Sequence, residues 1–218
     1  DLTRGMTAMY KKGARIAIID GCRTPFQRSG TGYYDMMGWE LGRYAIKGLV
    51  SKIAMPVDVI GHVIMGTVAA DITTTNVARE SMLGAGLPYT IPAHTNTVAC
   101  ISAGAAIVNG ANMILCGAAD AVIVGGVETF SDPAIKISKA YRRFILDLTM
   151  FKRPKTIGGK IKLLRKMKLA DFITPEKPAL GEFSTGLIMG QNADRLARRL
   201  GISREDQDRY AALSHQRA

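Results

Sequence analysis

Six side chains in this sequence are of types that act as nucleophile or base near neutral pH: Cys22, Cys100, Cys116, His62, His94 and His215. Cys100 has the most suggestive neighbours. It follows an extended segment, Ile91 to Ala99, and precedes a small-residue helix opening with Ile101, Ser102, Ala103 and Gly104. The thiolate is the reactive form of cysteine, and the free N–H groups and positive dipole end at a helix N-terminus favour it and can also hold an oxyanion. A buried strand-to-helix turn at Cys100 is expected to supply both. The plain alternative is a structural thiol, since free cysteine is often buried as a small hydrophobe.

The other five residues rank lower. Three cysteines at irregular spacing fit neither a disulfide framework nor a zinc site. A reducing compartment and no metal are expected, with Cys22 and Cys116 as core or loop thiols. His94 precedes Cys100 by six residues, which on an extended strand is roughly 20 Å at about 3.3 Å per residue. That distance excludes it as the base. His62 is read as a packed or hydrogen-bonded imidazole in the second strand, and His215 as a residue of an exposed final helix.

The elements around Cys100 alternate. Arg15 to Asp20 is a short apolar run, followed beyond the Arg23-Thr24-Pro25 turn by a helical pattern of Leu41, Tyr44, Ala45, Leu49 and Val50. Val59 to Val68 reads as a strand, and Asn76 as the cap of a helix through Val77, Ser81 and Met82 ending near Gly84 or Gly86. The extended piece ending at Ala99, the helix to about Cys116 and the apolar strand Ala121 to Val124, stopped by Gly125-Gly126, complete the series. Strands alternating with helices imply an α/β fold whose parallel strands are covered on both faces. From Ser81 to Ala119 there is no Asp, Glu, Lys or Arg, yet prolines and asparagines keep every apolar run short of a membrane span. The Cys100 helix therefore belongs inside a large core and needs cover on every side. At 218 residues and 47% hydrophobic, the chain has material for one large domain or one and a half.

Charge is concentrated elsewhere. Between Ala134 and Ala170 stand 12 Lys or Arg against one acid, Asp147, so this segment holds the whole net charge of +11. Ile137, Tyr141, Phe144, Ile145, Leu148 and Phe151 recur at helical spacing, a break follows from Pro154 to Gly159, and Ile161, Leu164 and Met167 resume the pattern. Two basic amphipathic helices in a hairpin are expected, suited to an anionic membrane surface through Lys136, Lys139, Arg142, Arg143, Lys162, Arg165, Lys166 and Lys168. Nucleic acid is disfavoured, because the aromatics lie on the apolar helix face and are not interleaved with the charges. A helix from Leu187 to Leu200, stopped by Gly201, and another from Ser203 with Asp206 in a capping-box position, follow.

The residues Asp20-Gly21-Cys22-Arg23-Thr24-Pro25-Phe26, Asn76-Val77-Ala78-Arg79-Glu80, Pro92-Ala93-His94-Thr95, Val98-Ala99-Cys100-Ile101-Ser102-Ala103, Gly125-Gly126-Val127-Glu128, Glu182-Phe183-Ser184-Thr185, Met189-Gly190, Ala193-Asp194-Arg195-Leu196-Ala197 and Ser203-Arg204-Glu205-Asp206-Gln207-Asp208 resemble the thiolase family. The resemblance is strongest to the thiolases of fatty-acid oxidation complexes. In order and spacing these pieces cover nearly the whole chain from Arg15.

What the resemblance implies is a thiolase-like fold, with an N-terminal mixed sheet carrying helices on both faces and a basic helical loop insertion. The expected parts are an extension over 1–14, the N-terminal thiolase domain over 15–133, the insertion over 134–186, and helices over 187–218 leading to a C-terminal half that these residues do not contain. It implies a 3-ketoacyl-CoA thiolase of β-oxidation, in which Cys100 is acylated and its backbone N–H forms half of an oxyanion hole. Coenzyme A is substrate, and no cofactor is expected. Met189 and Leu180 align with positions along the pantetheine and acyl channel. Expected partners are a second copy of the chain, a hydratase/dehydrogenase α subunit and the matrix face of the inner mitochondrial membrane, or a cytoplasmic setting if the source is bacterial. Family members also carry a Gly-His-Pro histidine and a Cys-x-Gly cysteine as base and acid, and neither motif occurs here. The chain alone is accordingly expected to be inactive. Two other readings remain at this point, a non-catalytic thiolase-derived scaffold or membrane-binding fragment, and a ketoacyl-synthase-type condensing enzyme.

Overall fold

A computed structural model describes residues 15–69, 73–131, 133–176 and 181–217. The chain divides into two compact units, the first ending at Ala134 and the second beginning at Ile135.

In the first unit, helix α1 (Gly38–Ile53) precedes strand β1 (Ile60–Gly66), helix α2 (Val77–Gly84), strand β2 (Ala93–Asn96), helix α3 (Ser102–Leu115) and strand β3 (Ala121–Gly126). The strands form one parallel sheet in the order β2-β1-β3, with Val63 opposite both Ala93 and Ile123. As the middle strand, β1 is covered on both faces, and its Val63 and Ile64 are fully buried. Alternation divides its side chains. Val63 and Met65 join Ile46 of α1, Ala78 and Met82 of α2 and Ile123 of β3 in the main core. The opposite face receives α3 at very close range, because a Cβ on Gly110 would stand 2.6 Å from Val124 Cγ1 and one on Gly126 would stand 2.7 Å from Ala103 Cβ. Glycine at those positions is what lets helix and sheet touch.

The helix starts follow from capping chemistry. Asn76 Oδ1 accepts from the Arg79 backbone N–H at 3.2 Å, as its sequence position predicts, and Glu40 accepts from Met37 N at 3.0 Å.

One expectation needs correction here. Arg15 to Asp20 forms no strand among the described residues, and Ile18 and Ile19 are 83% and 71% exposed. An apolar pattern gives a segment its preference for strand, whereas a ladder needs a neighbouring edge. The three paired strands are all parallel, so the sheet is an open parallel one and no antiparallel member is found among the described residues. On α3, Ser102, Ala106 and Gly110 are buried while Ile107 and Val108 on another side are exposed.

The second unit is helical. Helix α4 (Lys139–Leu146) continues into a π-type turn (Asp147–Phe151), then α5 (Ile157–Leu164), α6 (Leu169–Ile173), α7 (Met189–Arg199) and α8 (Arg204–Arg217). Three short helices thus replace the expected two. The break is also shorter than Pro154 to Gly159, because Thr156 accepts from Gly159 N at 3.2 Å and starts α5 at Ile157 with both glycines inside it. A good cap offsets their low propensity. The segment is closed by an antiparallel bridge between Ile137 and Pro175, by Glu176 N donating to Lys136 O, and by the rings of Tyr141, Phe144 and Phe172.

Candidate active site

Cys100 lies in the turn between β2 and α3, two residues before the first helical residue. Ala99, immediately before it, is left-handed at φ +46°. A non-glycine residue is held there only when its surroundings over-determine it. Ser102 supplies much of that restraint. Its hydroxyl donates to the Ala99 carbonyl at 2.6 Å and accepts from Val98 N at 2.9 Å, while the backbone N–H groups of Ile101 and Ser102 donate to Val98 O and Ala99 O.

The start of α3 is pressed against the sheet. A Cβ on Gly66, the last residue of β1, would stand 2.6 Å from Ala103 N. The turn is therefore carried at the C-terminal ends of β1 and β3, where parallel α/β sheets place their ligands. It opens onto a cavity of about 530 Å³ in the first unit, whose walls include Cys22, Arg23, Phe26, Gly126 and Glu128. The buried turn expected from the sequence is corrected by this arrangement, because Cys100 is exposed. Lining that cavity and exposed, the thiol is reachable from solvent.

The remaining sequence candidates are placed as follows. Cys22 is exposed and donates to Ala45 O, and Cys116 is exposed at the end of α3. His62 and His94 meet across β1 and β2, with His62 Nε2 2.8 Å from His94 Nδ1. Burial, and then the neighbouring His94, holds the His62 imidazole below its ordinary value. This pair is the hydrogen-bonded arrangement expected of His62, and His94 shares it. His215 is exposed on α8. Met189 opens α7 and is exposed, while Leu180 lies outside the described residues. Of the basic residues, Lys136, Lys139, Arg143, Lys162, Arg165, Lys166 and Lys168 are exposed, but Arg142 is engaged in two hydrogen bonds to Glu176, at 3.0 and 3.1 Å.

The family model described as "Thiolase, N-terminal domain" matches residues 16–218. The chain belongs to the thiolase family. Among thiolase relatives, the bovine (Bos taurus) mitochondrial trifunctional enzyme subunit beta is 44% identical over 214 residues, covering 98% of this chain and 44% of the relative. A probable 3-ketoacyl-CoA thiolase of Caenorhabditis elegans is 41% identical over 213 residues, covering 97% of this chain and 47% of the relative. The crystal structure of the Bacillus anthracis acetyl-CoA acetyltransferase shares the fold, with a TM-score of 0.67 at 23% identity over 91% of this chain and 45% of that one. This thiolase chain spans a little under half the length of the curated relatives it matches.

Sequence reasoning gave no individual role to Ser102, Thr67, Thr97 or Glu128, all of which bear on the Cys100 turn. One signal was available: Glu128 is an acid two residues beyond a strand that ends in paired glycines, where nothing in a βα unit's core requires a charge.

Proposed function

We propose that the chain carries the nucleophile of a 3-ketoacyl-CoA thiolase of fatty-acid β-oxidation. The observation that carries this reading is Cys100 on a strained strand-to-helix turn, exposed to a cavity, within a thiolase N-terminal domain. In the proposed reaction Cys100 Sγ, as thiolate, bonds to the C3 ketone carbon of a 3-ketoacyl-CoA. The C2–C3 bond breaks, its electron pair goes to C2, and protonated C2 leaves as acetyl-CoA. The thiolate of a second CoA then takes the acyl group from sulfur and restores Cys100. Coenzyme A acts as substrate with no metal or further cofactor. Base and acid are assigned to groups outside these residues, so the chain alone is expected to be inactive.

The site-by-site reading extends to Met189 and Leu180 along the acyl channel and to the segment 134–186 as an insertion between the catalytic parts. A mitochondrial setting and an α-subunit partner are supported by the similarity to beta subunits of mitochondrial trifunctional enzymes, and a second copy of the chain is what the family resemblance implies. A membrane role for the insertion is supported by a specific feature. Phe151, Ile157, Ile161, Leu164 and Leu169 are exposed large apolar residues set among exposed lysines and arginines.

The test is to incubate the complete native protein with an acyl-CoA and map the adduct by peptide mass. Acylation of Cys100, abolished together with thiolysis by Cys100→Ala, is the expected result. Acyl label on Cys22 or Cys116, or unchanged thiolysis in Cys100→Ala, would overturn the assignment.

A further inference from the structure

The sheet ends at its β1–β3 edge in a way that leaves one carboxylate with an unusual set of partners. Beyond the last β3 residue, Val127 N still donates to Gly66 O at 3.0 Å, which aligns Glu128 with the segment leaving β1. There the backbone ladder stops. In its place the Glu128 carboxylate accepts from Thr67 Oγ1 at 3.2 Å and from the backbone N–H groups of Val68 at 2.8 Å and Ala69 at 3.2 Å. Three donors from three successive residues converge on one side chain, some 60 positions away in sequence. An ionised carboxylate suits this role because it accepts at both oxygens, whereas an amide presents N–H groups to donors on one side.

The clamped segment is in turn the support of the nucleophile turn. Thr67 N donates to Asn96 O at 3.2 Å, and Thr97 Oγ1 donates to Thr67 O at 2.8 Å. Thr97 adjoins Val98, whose N–H is held by Ser102, and Ala99 and Cys100 come next. A continuous hydrogen-bonded route therefore runs from Glu128 through Thr67 and Thr97 to the strained turn. Glu128 also lines the cavity onto which Cys100 opens.

We propose that Glu128 is a positioning residue for Cys100, acting through the turn at Thr67 to Ala69 and the Thr97 hydroxyl. It makes no contact with the thiol and takes no part in proton transfer. Its contribution is to fix the height of the 97–100 segment against the sheet end, and with it the angle at which the sulfur meets an electrophile. The inference deepens the thiolase reading and rests on Cys100 being the nucleophile. Small displacements of a reacting group are costly to rate, with about 1 Å capable of a 100-fold loss.

The test measures, on the complete native protein, the second-order rate of Cys100 alkylation by iodoacetamide, followed at the Cys100 peptide, together with kcat and KM for CoA in thiolysis. The variants are Glu128→Gln, Thr97→Val, Thr97→Ser and the double variant Glu128→Gln/Thr97→Val. Glu128→Gln and Thr97→Val are each expected to lower the alkylation rate and kcat by about 10- to 100-fold, with KM for CoA within about twofold. The double variant should be no slower than Glu128→Gln, since both changes interrupt one route and their effects do not add. Thr97→Ser, which keeps the hydroxyl, should restore the wild-type rate. Wild-type alkylation in Glu128→Gln, fully additive losses in the double variant, or Thr97→Ser as slow as Thr97→Val would overturn the proposal. Should Glu128→Gln fail to fold, Thr67→Val, which removes the hydroxyl donor to Glu128, takes its place: slower alkylation is expected, and wild-type alkylation would overturn the proposal. Failure of the thiolase reading shows separately, as a wild-type protein without an acyl adduct on Cys100, because alkylation needs no turnover.

Discussion

The Ser102 hydroxyl is joined to the Ala99 carbonyl across the turn that presents Cys100, at 2.6 Å, and the same oxygen accepts from Val98 N. Ser102 is buried while the cysteine between its two partners and itself is exposed. Ser102→Ala removes both bonds and leaves the Val98 N–H without its acceptor, a loss of about 1–3 kcal/mol. A lower melting temperature and slower iodoacetamide labelling of Cys100 are expected together. Labelling at the wild-type rate would mean that the turn is held by the backbone alone.

Ala99→Val tests the same turn from the backbone side. At φ +46° a β-branched side chain is disfavoured, adding strain of about 1–2 kcal/mol. Ala99→Gly should keep Cys100 reactive. Equal melting temperatures for Ala99→Val and the wild type would show that this residue leaves the left-handed region.

Much of the first unit is legible in the sequence. Helices α1, α2 and α3 announced themselves through apolar spacing and the Asn76 cap, since helical hydrogen bonds are local and written in neighbouring residues. Strands β1 and β3 are readable as short apolar runs because β1 is mostly buried and β3 packs Ile123 into the core and Val122 and Val124 against α3. Arg15 to Asp20 looked similar and forms no ladder, because pairing depends on a partner that a local pattern does not encode. The Cys100 turn was located correctly and its exposure was not, since cover is a property of what packs on top. Glu128 was hidden for another reason. Its partners at Thr67 to Ala69 are brought near it by the parallel pairing of β1 and β3, and no spacing rule links them.

The His62–His94 pair makes the first unit sensitive to acid. Burial holds His62 below its ordinary value of about 6.5, so the unfolded chain binds the proton more readily than the folded one. The associated stability is present above about pH 6.5 and is lost as pH falls through the lowered folded value. Thermal melts between about pH 7.5 and 5.5 should show a falling melting temperature, with a shallower slope in His62→Asn. An unchanged slope in that variant would assign the pH dependence to other groups.

Arg142 and Glu176 tie the two ends of the helical hairpin. The hydrogen bonds from Arg142 hold the Glu176 carboxyl below its ordinary value, so this tie acts above the usual glutamate range of about 4.3 and is lost as pH falls through the lowered folded value. The pair is exposed and screened by salt, so its effect is expected to be local. Hydrogen exchange at the Glu176 amide, which donates to Lys136 O at 2.8 Å, should be faster in Arg142→Gln than in the wild type at pH 7. The difference should vanish once the pH has fallen through the lowered folded value. Persistence of the difference in acid would mean that Arg142 acts through Ile137 O, to which it also donates.

The engagement of Arg142 also changes which residues test the membrane reading. Arg143, Lys162, Arg165 and Lys166 are exposed and lie beside exposed apolar residues, whereas Arg142 is spent on Glu176. Each free cation near an anionic bilayer contributes about 1 kcal/mol at the surface. Replacing those four with Gln should therefore weaken binding to cardiolipin-containing vesicles by about 100- to 1,000-fold at low salt. Binding by the wild type should itself weaken as salt rises, since the attraction is screened over about 8 Å at physiological ionic strength. Apolar contact through Phe151, Ile157 and Leu169 should leave a residual, salt-independent component that Ile157→Ser removes. Thiolysis of a short soluble substrate should remain near normal in the quadruple variant. Normal vesicle binding combined with a large rise in KM for CoA would instead make the segment a contact for the phosphates of the substrate, and the membrane reading would be wrong.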